Sequence, residues 1–358
     1  MKRITLCALL MTLFLLFSCG SGQQPVDSPN GGGASTGGGT LSSVLMDVGR
    51  SAENAFYSFI ELLSDTLGFT AKSTTKKSDV GSYFNGLGEK LGVASKELEQ
   101  VEVKAAAGVD TSDASKNPIR VAIDTAKATL ITLKTHLDSL KDIGDANPVG
   151  WTASNAAGAK VEENMLKKVL TALQGIVNTA TTEGVVKPKE GDIAVKVGNG
   201  TDNKDGAKIL GTDLAATAGD AGKAAAILST VSGEEILASI VASTEGDAAL
   251  GANATAQTSA ISFAKGGNAA HLAGADTVKA AAVAGGIALR SLVKDGKLAA
   301  AAANSAGGQG EVQAVGVTAA NKLLVAVEDI IKKTVKNVLE KSKGEIDKAR
   351  EPKPSAQK

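Results

Sequence analysis

Apolar residues recur at steps of three and four along several long stretches of this chain, and that spacing leaves few folds open to it. The first stripe is Leu41, Val44, Leu45, Val48, Ala52, Ala55, Phe56, Phe59, Ile60, Leu63 and Leu67. It keeps one face of a helix apolar over about seven turns, with Gly68 placed to end it. A second stripe runs Val80, Tyr83, Phe84, Leu87, Leu91, Ala94, Leu98 and Val101. Asn117 and Pro118 supply a cap and a first turn for a third, which carries Ile119, Ile123, Ala126, Leu130, Leu133, Leu137 and Leu140 as far as Gly144. A fourth holds Val161, Leu166, Val169, Leu170, Leu173, Ile176 and Val177. The last element runs from about Val312 to Arg350, with Leu323, Leu324, Val327, Ile330, Ile331, Val335, Val338, Leu339 and Ile346. At 1.5 Å per residue it should be nearly 60 Å long. Stripes this close to heptad spacing suit helices lying side by side. The expected fold is all-α, an elongated bundle whose long N- and C-terminal helices pack together.

The large side chains are unevenly placed. Phe56, Tyr57, Phe59, Phe69, Tyr83 and Phe84 crowd the N-terminal part, while Trp151 and Phe263 stand alone. Aromatic side chains bury the most area, so the best packing is expected near the aromatic cluster, with the aliphatic residues of the last helix as its partners. Residues 190–310 are mainly Ala, Gly, Thr and Ser and should form a loop-rich distal part with a thin core. From Val185 to Gly206 the periodicity fails, leaving a loop with room for a short hairpin. Ser232-Gly233-Glu234-Glu235 matches a capping box and should open a helix through Ile236, Ile240 and Val241. Asn253 to Lys265 reads as another, weaker helix. Alanine favours helix but buries little.

The N-terminus reads as an export signal. Lys2 and Arg3 precede an apolar run from Ile4 to Phe17, and Ser18 puts a small residue before Cys19. The run falls short of the roughly 20 residues a bilayer span needs. Leu16-Phe17-Ser18-Cys19 also resembles a bacterial lipobox, although Phe17 is bulkier than usual at its position. On that pattern residues 1–18 are removed just before Cys19, whose nucleophilic thiol takes a diacylglycerol and whose amine is acylated with palmitate. An ordinary secretory signal is the alternative. Residues 19–40 would then be a lipidated Gly-rich tether, 41–350 the helical domain and 351–358 a tail. Cys7 leaves with the leader and lipid occupies Cys19, so no thiol remains for a disulfide and stability must come from burial. Net charge near zero gives no electrostatic case for nucleic acid.

Chemistry has little to work with. His136 lies off the main stripe of its helix and reads as a surface residue, and His271 has no carboxylate or second histidine at ligand spacing. No Gly-x-Ser-x-Gly elbow is present. Asp220-Ala221-Gly222-Lys223 and Asp295-Gly296-Lys297 lack the Ser or Thr of a phosphate loop and read as helix-end turns. No catalytic, cofactor-binding or metal residues are assigned, and the chain is not expected to be an enzyme. At the C-terminal end Glu328–Lys332 and Asp329–Lys333 have the spacing of intrahelical ion pairs. Lysines and acids alternate there, which favours a solvated, ion-paired face over contact with lipid headgroups.

One segment stands out, Gly286-Ile287-Ala288-Leu289-Arg290-Ser291-Leu292-Val293-Lys294-Asp295-Gly296-Lys297-Leu298. Leu289, Leu292 and Val293 share a face, and Gly296 suits a left-handed cap. The segment is similar to the invariant stretch in the variable surface lipoproteins of Borrelia spirochaetes. With the relaxed lipobox, the Gly-rich tether, Leu41-Ser42-Ser43-Val44 and Phe56-Tyr57-Ser58-Phe59, essentially the whole chain resembles the variable large protein (Vlp) family of the relapsing-fever group. That resemblance implies an elongated helical antigen anchored to the cell outer membrane and seen by host antibodies, with switching among alternative versions as immune evasion. An adhesin or host-protein binder is the alternative; a solute-binding lipoprotein would need strand–helix alternation that is absent. Whether two copies pair as a homodimer stays open. Growth with radioactive palmitate should label the polypeptide, and an unlabelled chain would remove the anchor.

Overall fold

The computed structural model describes residues 67–106, 118–197 and 201–350. Among them the chain is helical: α1 Lys77–Ala106, α2 Pro118–Ser139, α3 Glu163–Thr182, α4 Asp220–Ser229, α5 Gly233–Val241, α6 Ala260–Lys265, α7 Ala269–Leu272, α8 Ala280–Leu292 and α9 Gln309–Arg350. A two-residue antiparallel hairpin, β1 Lys196–Val197 on β2 Thr201–Asp202, fills the loop before a 3-10 stretch at Lys204–Leu210. The expected helix lies outside the described residues over 41–66, its aromatic face with it; Leu67, at its end, is described and is not helical.

The stripes bury as their spacing demands. Val80, Phe84, Leu87 and Leu91 of α1 meet Ile123, Leu130, Leu133 and Leu137 of α2 in one apolar core. Helix α9, with 42 residues and a length of about 63 Å, lies against α2, α3, α4, α5 and α8. The third stripe stops being helical at Ser139, and Leu140 to Gly144 make turns. Val161 is buried but precedes α3, which starts where the Glu162 carboxylate accepts from Asn164 N at 3.0 Å and Met165 N at 2.9 Å. The capping box is present at α5: Ser232 Oγ accepts from Glu235 N at 3.1 Å and the Glu235 carboxylate from Ser232 N at 2.7 Å.

Three expectations need correction. Helix forms only from Ala260 in the 253–265 segment, because Thr255 and Thr258 offer the backbone another partner: Thr255 N donates to Thr258 Oγ1 at 2.8 Å. Glu328 does not reach toward Lys332; it turns inward and accepts from Tyr83 OH at 2.5 Å and Gly68 N at 3.0 Å. Pairs farther along α9 do form, with Lys343–Asp347 at 2.5 Å and Lys348–Glu345 at 2.7 Å.

The thin core is the third. Every residue of α8 is buried, and the helix packs on α4, α5, α6 and α9. Small side chains here bring backbones together. A Cβ on Gly286 would sit 2.4 Å from Phe263 Cβ, and one on Gly285 would sit 2.8 Å from Ala260 Cβ. Phe263 is fully buried in the space this leaves. Gly286→Ala should therefore destabilise the fold by about 1–3 kcal/mol through overpacking. Gly344→Ala, at an α9 site with open space around it, should stabilise it by about 0.5–1 kcal/mol; denaturant titration of both variants checks the contrast.

Candidate functional site

The segment singled out by sequence forms the second half of α8 and the turn that follows, and its surroundings show what it does. Leu289, Leu292, Val293 and Leu298 are buried, leaving Lys294 and Asp295 as its exposed residues. The left-handed residue is Asp295, with φ 63°, not Gly296. Asp145 supports that conformation by accepting from Asp295 N at 2.9 Å. Gly296 is required for a different reason: a Cβ there would lie 2.3 Å from Arg290 O.

Two buried cations hold the turn. Lys77 Nζ, from the first turn of α1, donates to Val293 O at 2.9 Å and to Gly296 O at 2.5 Å. Arg290 Nε donates to Ala264 O at 2.9 Å, and its terminal nitrogens reach Lys297 O at 3.4 Å and Phe263 O at 3.5 Å. Phe263 and Ala264 belong to the last turn of α6, so the guanidinium sits where the helix dipole favours positive charge. On the outer side Lys297 N donates to Ala159 O at 3.0 Å and Leu298 N to Trp151 O at 2.8 Å. The Lys297 ammonium lies 4.9 Å from the centre of the Trp151 ring.

Burial sets the electrostatics. It pushes the Lys77 ammonium down to about 8, against the attraction of Asp145 and Asp295, and it pushes Arg290 down as well. For Asp145 burial acts upward, but N–H donors from Asp295 and Asn147 and the Lys77 charge win and hold its carboxyl below the usual range. Lys77 has a depressed pKa, yet both its acceptors are backbone carbonyls inside the core. It works as a brace between α1 and the turn. Sequence gave no sign of this, because Lys77 follows Lys76 and both look solvated.

The histidines are not brought into a site. His136 is half-buried rather than on the open surface: its ring covers Gly175 of α3, where a Cβ would fall 2.2 Å from it. Burial lowers its pKa. His271 is in α7, and its Nδ1 is buried without a hydrogen-bond partner. No group of three or more His, Cys, Asp or Glu side chains could hold a metal ion among the described residues. Cys19 lies outside them. A shallow cleft of about 540 Å³ opens between α9 and the 185–188 loop, lined by Val186, Val325 and Lys333 among others. Loops 211–219 and 244–259 contain Gly219 and Gly251, where a Cβ would meet nothing within 4 Å, whereas in loop 299–308 a Cβ on Gly307 or Gly308 would lie 2.6 Å from a backbone oxygen.

The helical architecture has a solved counterpart: it superposes on the Lyme disease variable surface antigen VlsE of Borrelia burgdorferi with a TM-score of 0.66, covering 86% of this chain and 98% of that one at 24% identity. A model of the Borrelia lipoprotein family matches residues 52–346. Variable large protein 21 of Borrelia hermsii is 63% identical over 99% of this chain and 97% of its own length. Variable large protein 7 of the same organism is 59% identical over 98% and 95%. This chain belongs to the Borrelia lipoproteins and, among them, to the variable large proteins.

The Lys77 brace has a pH signature. Its folded pKa of about 8 lies below the ordinary 10.5, so between those values the unfolded chain binds the proton and the folded chain does not. Stability from this group therefore rises with pH across that window. Denaturant midpoints at pH 7.5 and 9.5 should show this rise relative to Lys77→Met, which is less stable at both and lacks this contribution.

Proposed function

We infer that this protein is a lipid-anchored outer-surface antigen, one of a set of alternative versions whose exchange evades host antibody. The observation that carries the reading is the spread among its relatives. Variable large proteins of Borrelia hermsii match nearly the whole chain, yet their identity falls from 63% to 26%. A scaffold that keeps its length while its sequence drifts this far suits a molecule whose surface must change and whose fold must not.

The geometry supplies a physical basis for that separation. Around Gly266, Gly286 and Gly296 an added Cβ would collide with Arg290 or Phe263, so the frame under α8 tolerates little. Loops 211–219 and 244–259 are largely exposed and, at Gly219 and Gly251, open to any side chain. Antibody would then select on the loops, while the braced turn shows only Lys294 and Asp295 to solvent. Cys19 is the anchor on this reading, with the membrane and host antibodies as partners and no catalytic step.

Brief protease treatment of intact cells should remove the chain from a whole-cell blot, and Cys19→Ser should lose both the palmitate label and surface display. Serum raised against the intact protein should bind the 190–310 loops on live cells. Strong binding to 41–65 with none to those loops would refute the display reading.

A further inference from the structure

The cleft between α9 and the 185–188 loop gathers cations that have lost the partners their spacing promised. Position along α9 gives Lys332 a carboxylate at Glu328 and Lys333 one at Asp329. Neither pair forms. Glu328 is turned inward to Tyr83 and Gly68, and Asp329 makes no ion pair among the described residues. Lys332 and Lys333 are both exposed, and Lys333 lines the cleft. Lys336 stands about one turn further along and pairs only loosely with Glu340, at 3.7 Å. Lys187 and Lys189 are exposed on the loop that forms the other rim, again with no acidic partner among the described residues.

We propose that this cleft binds an anionic oligosaccharide, a sulfated or carboxylated sugar chain. The mixed lining favours a sugar over other anions. Val186 and Val325, 77% and 51% exposed, offer apolar surface beside Pro188 for the C–H faces of pyranose rings. Glu234 and Asp329 also line the cleft, and their carboxylates can accept from sugar hydroxyls. The ammonium groups on the two rims then take the sulfate or carboxylate groups, each as a point charge.

Other polyanions fit less well. A nucleic-acid strand is held by aromatic or guanidinium surfaces under its bases, and no aromatic ring or arginine lines this cleft. A lipid surface is too broad to enter it and would press its headgroups toward Glu234 and Asp329. The volume of about 540 Å³ is within the range of small-ligand sites. A longer chain can continue along α9 over Lys332 and Lys336. Binding needs only the folded chain and is independent of the antigen reading above.

Heparin, a sulfated polysaccharide, is the probe, titrated onto the full chain extracted in detergent. At about 50 mM salt it should bind with a Kd on the order of 10 μM. Lys332→Gln combined with Lys333→Gln should weaken binding about tenfold and reduce the salt dependence of log affinity by about one or two. Lys187→Gln should act in the same direction. Lys96→Gln, at an exposed lysine on α1, should change nothing, and every variant should keep its melting point. Asp329→Ala separates sugar recognition from plain attraction. Loss of a hydroxyl acceptor weakens binding, whereas removing a negative charge from a merely electrostatic patch would tighten it and overturn the proposal. Failure to bind heparin, or binding indifferent to the Lys332 and Lys333 changes, would overturn it too. So would equal affinity for single-stranded DNA or phosphatidylserine vesicles.

Discussion

Close backbone approach around α8 is the constraint on which the rest of the structure depends. Gly285 and Gly286 let α8 sit against α6 at distances where a single methyl group would collide with Ala260 or Phe263. Because α8 is buried on every side, the elements that touch it take their positions from it. Alanine and glycine stabilise this region by letting main chains pack closely, which recovers dispersion contacts that larger side chains supply elsewhere. A core of small residues is tight and intolerant, because it has few rotamers with which to absorb a change.

The two buried cations extend that logic. Lys77 and Arg290 both donate to main-chain carbonyls, of the α8 turn and the α6 end, rather than to carboxylates. An ammonium or guanidinium is costly to bury, and removing its partners costs more still. The turn can be held in place this way without contributing a charged side chain of its own. Asp145 adds the complementary contact by fixing the left-handed Asp295. The result is a segment whose shape is set from four sides.

That rigidity bears on display. A molecule that must alter its surface needs a part whose geometry is indifferent to what the surface carries. Here the long helices and the α8 frame bury their own apolar faces, and the loops between the short helices take up little of the core. Changes in such loops cost little because they touch few buried atoms.

The helical periods of α1, α2, α3 and α9 and the α5 capping box were legible in the sequence, because local spacing and capping chemistry dictate them; between 185 and 206 only a loop with room for a short hairpin was legible, and the structure places it at 196–202. Glycine density in 253–308 was legible too, but its meaning was not. Composition says that small residues bury little area each; only the tertiary structure decides whether they line a loose loop or let two backbones meet. The same holds for charge. Lys76 and Lys77 are indistinguishable as letters, yet one faces water and the other braces the core, because burial depends on what the rest of the chain brings alongside. Sequence by itself determined the helices and the family; tertiary packing decided which of them became the hub, since contact between residues hundreds of positions apart leaves no local trace.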